Sequence, residues 1–158
     1  MAVQEIFPTD TLLARTMALL GGERAFRRPL QSRIEAHDAL AEGLPGSALT
    51  TLLREFPFLT ASGEVLDRAL GVSLRTVQRR AGASDKALNA EQSNRAWKFA
   101  EIVARATEVL GSQDEAVAWL QRPAPALDQR RPIELLGTAA GVELVEDLLT
   151  RLDYGVYS

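Results

Sequence analysis

The apolar residues of the chain recur at steps of three and four and nowhere alternate, so the pattern predicts helices and no strands. Asp10 stands where a capping side chain would open a helix over Thr11–Leu20, and Gly21-Gly22 would stop it. Leu30, Ile34, His37, Ala41 and Leu44 fall on one helical stripe, closed by Gly43 and Pro45. Ser47 begins a further short helix with Leu49, Leu52, Leu53 and Phe56 facing inward, ended by Pro57. Two short helices follow, near Ser62–Leu70 and Ser73–Ala81, separated by Gly71-Val72.

Beyond them, Asn89 with Gln92 forms a capping box for a long helix to Leu110, with a stripe of Ala96, Phe99, Val103, Ala106 and Leu110. Ser112 with Glu115 reads as a second capping box, for a helix carrying Ala116, Trp119 and Leu120. Arg122–Arg131 is expected to be a loop around Pro123 and Pro125, and Pro132 suits the first turn of a short helix to Leu136. Thr138 begins the last helix, with Val142, Val145, Leu148, Leu149 and Leu152 on one side. The fold class is therefore all-α.

The stretch Val65–Arg80 has the layout of a helix-turn-helix. Gly71 can take the left-handed conformation of the turn, and Leu66, Leu70, Val72 and Val77 would pack the two helices together. Ser73 can cap the second helix, leaving Leu74, Arg75, Gln78 and Arg79 on the face that reaches base edges in a major groove. Arg pairs bidentately with guanine and Gln with adenine. Thr76 suits a phosphate contact and Arg80 a phosphate or structural one. Asp67 stands where such motifs prefer a small residue, so its carboxylate must point outward or find a partner.

Composition narrows the classes. Apolar residues make up 46%, Leu and Ala dominate, and there are no cysteines, hence no disulfide frame and no thiolate metal site. No apolar run approaches the ~20 residues of a membrane span, and MAVQEIFPTD lacks the features of a signal peptide, so a soluble cytoplasmic protein is expected. The net charge is −3 but uneven. Arg68, Arg75, Arg79, Arg80 and Lys86 crowd residues 65–86, whereas residues 101–158 hold ten acids against five bases. A basic segment joined to an acidic half predicts two surfaces with different partners.

The C-terminal third is distinctive in its order: Trp119-Leu120, Pro123, Pro125-Ala126-Leu127, Arg131-Pro132-Ile133-Glu134-Leu135-Leu136, Thr138-Ala139-Ala140-Gly141, Val145-Glu146-Asp147-Leu148-Leu149, and Arg151 through Tyr154-Gly155 to Ser158. Together with the Gly71–Arg80 segment, this order resembles the Xre/MbcA/ParS antitoxin family over about residues 60–158. That family commonly carries paired glycines where this chain has Asp128-Gln129, which predicts a differently shaped loop.

The resemblance implies an Xre-like helix-turn-helix domain over 1–88, followed by a small helical toxin-binding domain over 89–158. It implies a RES-domain toxin as partner, an enzyme related in fold to ADP-ribosyltransferases that consumes NAD or uses it to modify a target. It also implies operator DNA at the protein's own promoter. Toxin contacts are expected at Trp119, Glu146, Tyr154, Gly155, Val156, Tyr157 and Ser158. Tyr154 and Tyr157 offer large contact area at few rotatable bonds, and the Ser158 carboxylate would suit a pocket built for phosphates.

An enzyme reads less well. The lone His37 lies on the Leu30–Leu44 stripe, and there is no Gly-rich phosphate loop, nucleophile elbow or metal motif, so no cofactor is expected. Trp97 and Trp119 read as core or interface anchors. The stronger alternative is a helix-turn-helix transcriptional regulator without a toxin partner. A homodimer is expected in either case, because such readers bind paired half-sites.

Overall fold

A computed structural model of the chain describes residues 8–81 and 86–155. Among the described residues eight α-helices run in order: α1 Pro8–Leu19, α2 Arg33–Glu42, α3 Gly46–Glu55, α4 Gly63–Leu70, α5 Leu74–Arg80, α6 Ala90–Leu110, α7 Gln113–Gln121 and α8 Ala139–Asp153. Short 3₁₀ turns occupy Gly22–Arg24, Pro57–Thr60, Pro125–Leu127 and Pro132–Leu135. Among the described residues there is no strand, only one isolated bridge between Ala124 and Arg130.

The architecture is organised by α6. Both halves of its capping box form: Asn89 Oδ1 accepts from the Gln92 amide at 2.8 Å, and Gln92 Oε1 accepts from the Asn89 amide at 3.1 Å. Gly111 ends it with φ 101°, a left-handed conformation cheap only for glycine. The helix buries Ala96, Trp97, Phe99, Ala100, Ile102, Val103, Ala104 and Ala106, far more than the single stripe its periodicity predicts. The reason is that α1, α2, α3 and α4 surround it along with α7 and α8. A helix covered on most sides is apolar on most sides. Phe26 meets Trp97 edge-on, and Phe56 and Phe58 pack against Phe99. The core is one continuous cluster from Leu13 to Leu149, and it runs across the 88/89 boundary without a break.

Several local expectations are corrected. α1 starts at Pro8, so Asp10 lies inside the first turn and is not its cap. The buried side of α2 carries Ala36 with Leu40 packed beside it, whereas Ile34 is 67% exposed and His37 and Ala41 face solvent. Leu30 precedes the helix, so it could not set that helix's inward face. At α7 only half of the second capping box forms: Ser112 Oγ accepts from the Glu115 amide at 3.1 Å. The loop at Asp128-Gln129 holds both residues at positive φ, 59° and 63°. These are angles that a glycine pair adopts without strain and that L side chains adopt at a cost.

Candidate functional site: a protruding reader helix and an exposed terminal helix

The helix-turn-helix forms as its residues dictate. Ser62 caps α4, and Gly71 closes it at φ 65°, ψ 28°, its amide donating to the Asp67 carbonyl at 2.7 Å. Ser73 caps α5 by accepting from the Thr76 amide at 3.1 Å. Leu66, Leu70 and Val72 are buried and Val77 is half-buried, while α5 itself has no fully buried residue. α5 therefore lies on the surface as a short helix held by one side chain and its two ends. Arg75, Gln78 and Arg79 are exposed, and Leu74 is 38% exposed at the first turn. The Thr76 hydroxyl sits between the Ser73 hydroxyl at 3.0 Å and the Arg79 guanidinium at 3.4 Å. Asp67 is exposed, so its carboxylate points outward.

Arg80 has a different task from its neighbours. Its guanidinium donates to the Lys86 carbonyl at 2.7 Å, the Ala87 carbonyl at 3.4 Å and Gln92 Oε1 at 3.3 Å. It ties the end of α5 to the start of α6.

Sequence reasoning missed what holds α4 from behind. Arg68 pairs with Glu64 at 2.9 Å and with Glu134 at 3.3 Å. Glu134 also accepts from the Arg131 amide at 3.1 Å and lies 3.4 Å from the Arg131 guanidinium. The Arg131 side-chain bond, joined by the bond from its amide, holds the Glu134 carboxyl below its usual range despite partial burial. Arg95 on α6 donates to the Arg68 carbonyl at 2.8 Å and the Asp67 carbonyl at 3.4 Å. No local spacing announces contacts between residues so far apart along the chain.

At the other surface, α8 turns Ala140, Glu143, Leu144, Asp147 and Arg151 outward, with Leu144 half exposed and Tyr154 79% exposed. Gly155 follows at φ 74° in open space. Val156, Tyr157 and Ser158 lie outside the described residues. Trp119 is buried at 7% exposure within the core, so its side chain is not displayed on this surface. Glu146 is half-buried and engaged: Lys98 lies 3.4 Å from it and 2.6 Å from Glu101. Burial works against the Lys98 charge, but the two carboxylates outweigh it and raise its pKa above the ordinary lysine value. Leu144 was missed because it falls outside the Val142–Leu152 stripe and reads as an ordinary surface residue.

Among the described residues no cluster of His, Cys, Asp and Glu is arranged to hold a metal, and no helix is long and apolar enough to cross a membrane. A cleft of 490 Å³ lies between α4, α6 and the start of α8, bordered by Arg95, Lys98, Gly137, Thr138 and Glu146.

Residues 35–101 match the family described as the antitoxin Xre-like helix-turn-helix domain. Residues 105–155 match the antitoxin Xre/MbcA/ParS C-terminal toxin-binding domain. The chain is 28% identical over 131 residues to "Antitoxin Xre" of Photorhabdus laumondii, covering 82% of this chain and 86% of that one. It is 34% identical over 92 residues to "Antitoxin Xre" of Yersinia enterocolitica, covering 58% and 62%. It is 28% identical over 122 residues to the "Prs ADP-ribosylating antitoxin" of a Sphingobium species, covering 72% and 76%.

Proposed function

We propose, from the premise that the chain belongs to the Xre/MbcA/ParS-type antitoxins of toxin–antitoxin systems, that it neutralises a RES-type toxin and binds its own operator as a homodimer. The carrying observation is the pairing of a surface-mounted α5 with a toxin-binding domain whose last helix ends in a fully displayed Tyr154.

Each surface suits its partner. Arg75, Gln78 and Arg79 project from α5 with no carboxylate on that helix, the chemistry of base-edge and phosphate contact. Two copies would present two such helices to half-sites about 34–36 Å apart. On α8, Leu144, Asp147, Arg151 and Tyr154 form an apolar and charged face that continues toward the tail. Tyr is enriched among residues that dominate binding energy. The tail is the blocking element in this reading, with Tyr154 and Gly155 at its root and Val156, Tyr157 and Ser158 beyond. The toxin's chemistry is NAD consumption or ADP-ribosyl transfer, in line with the name of the Sphingobium relative. The chain itself catalyses nothing and takes no cofactor, so pure protein incubated with NAD releases no nicotinamide. It works in the cytoplasm.

The test is co-expression with the product of the neighbouring reading frame. Growth rescued by the full chain, and lost on deleting Tyr154–Ser158 while the thermal melt stays unchanged, supports the reading. Rescue at full level by the truncated chain removes the tail from the mechanism. No toxicity and no complex would leave a promoter-binding regulator alone.

A further inference from the structure

A second concentration of positive charge lies far from α5 in sequence. Residues 24–34, which join α1 to the start of α2, hold Arg24, Arg27, Arg28 and Arg33 and no acid, in a chain whose net charge is −3. All four arginines are exposed. Among the described residues none of them enters an ion pair, whereas Arg15, Arg68 and Arg131 each meet a carboxylate. The nearest acid on the C-terminal side, Glu35, has its carboxylate turned to the backbone, where it accepts from the Gln31 amide at 2.5 Å. The segment is anchored. Phe26 is buried edge-on against Trp97, Leu30 packs on the core, and Ser32 caps α2 by accepting from the Glu35 amide at 3.2 Å. A seated backbone thus holds four guanidinium groups out into solvent.

α2 links this segment to the surface helix. The C-terminal end of α2 rests on the approach to α6: the Leu88 amide donates to the Leu44 carbonyl at 2.8 Å, and the Leu44 amide donates to Ser93 Oγ at 2.9 Å. Arg80 ties α5 to the same stretch, at Lys86, Ala87 and Gln92. The ten residues of α2 span about 15 Å, so the arginines stand about one such length from the anchor of α5. Along B-DNA that offset is about four base pairs. The chemistry selects the partner. Cations clustered without a carboxylate are the footprint of a polyanion, and guanidinium pairs bidentately with phosphate. The core of a protein interface is depleted in charge, whereas this face sets only Pro29 and Ile34 among its arginines. We propose that residues 24–33 form a second DNA contact, which grips backbone phosphates beside the segment met by α5 and has no sequence preference. It adds affinity for any duplex, and α5 supplies the discrimination. The inference rests on the reading of α5 as the DNA-reading helix.

Fluorescence anisotropy of the full chain is measured on a duplex of the DNA upstream of its reading frame and on a scrambled duplex of the same length, between about 50 and 200 mM salt. Wild type is compared with Arg24→Gln, Arg27→Gln, Arg28→Gln and Arg33→Gln combined, with the four Arg→Lys changes at the same positions, and with Arg75→Ala and Arg79→Ala combined. Each neutralised phosphate contributes about 0.9 to the slope of log affinity against log salt, so the Gln variant flattens that slope by about 3 and weakens both duplexes alike by about tenfold or more. Its preference for the upstream duplex stays that of the wild type, and the Lys variant keeps both slope and affinity. An unchanged slope and affinity in the Gln variant overturns the contact and leaves the α5 reading standing. A loss confined to the upstream duplex, or one shared in full by the Lys variant, also overturns it, since the arginines would then read sequence or hold the fold. If the Gln variant loses only its complex with the product of the neighbouring frame, the segment faces protein and the proposal falls. A wild type without preference between the duplexes, unaffected by the α5 substitutions but weakened by the Gln variant, keeps the contact and overturns the α5 reading. No binding of either duplex by the wild type overturns both.

Discussion

Gly141 offers a case where local propensity and tertiary packing predict opposite signs. It lies in the first turn of α8, buried, with its amide donating to the capping Thr138 hydroxyl at 2.9 Å. Helix propensity alone says that Gly141→Ala stabilises α8 by about 1 kcal/mol. The structure says otherwise. A methyl group there would collide with the Leu135 carbonyl oxygen, and would stand 2.9 Å from its carbon and 3.1 Å from Thr138 Oγ1. The obstacle is backbone, so no rotamer change relieves it. α8 must lift off the 132–135 turn. Overpacking of this kind costs about 1–3 kcal/mol. Loosening the Thr138 cap adds about 1 kcal/mol, which cancels the propensity gain. The net loss is about 1–3 kcal/mol, or about 3–10 °C in Tm for a domain of this size. Thermal and urea unfolding followed by circular dichroism read the change, with Ala140→Gly as the neighbouring control. Ala140 is exposed, so that control loses only the propensity of about 1 kcal/mol. A Tm for Gly141→Ala at or above the wild type would refute the close seating of α8.

Arg75→Ala and Arg79→Ala each weaken operator binding by about 1–3 kcal/mol in gel-shift titration and relax sequence preference, while toxin neutralisation persists. Arg80→Ala lowers the melting temperature, because its guanidinium anchors the segment that leads into α6. Glu134 has a folded pKa held below its ordinary 4.5, so its contribution is present above that value and is lost as pH falls through the lowered one. Wild type therefore loses more denaturant resistance between pH 7 and pH 3 than Glu134→Gln, and parallel losses would contradict the pairing of Glu134 with Arg131 and Arg68. Gln129→Gly removes a left-handed non-glycine residue and raises stability by about 1 kcal/mol in the same urea assay.

The elements most readable from sequence are those whose ends carry their own chemistry. Asn89 with Gln92, Ser73, Gly71, Gly111 and Thr138 place five helix ends, because a cap or a left-handed residue acts within one turn. Spacing alone turns Ile34, His37 and Ala41 of α2 inward, whereas tertiary packing buries Ala36 and Leu40; Leu30, ahead of the helix, does pack against the core. Trp119 looked like a contact residue because size and polarity do not distinguish core from interface. On α5, Arg75, Gln78 and Arg79 fell on the exposed face by helical periodicity. The contacts behind it were illegible: Arg95 reaches the Arg68 carbonyl, and Arg68 reaches Glu134, only because α4, α6 and the 132–135 turn converge, and nothing in their neighbours' sequence records that.

The two matched regions end and begin at residues 101 and 105, inside the buried middle of α6, where Ile102, Val103 and Ala104 lie in the shared core. A chain with one undivided core unfolds as one unit. Its lifetime is then a single clock. A protease that opens either end therefore dismantles the helix-turn-helix and the terminal helix together, and leaves no half-folded remnant.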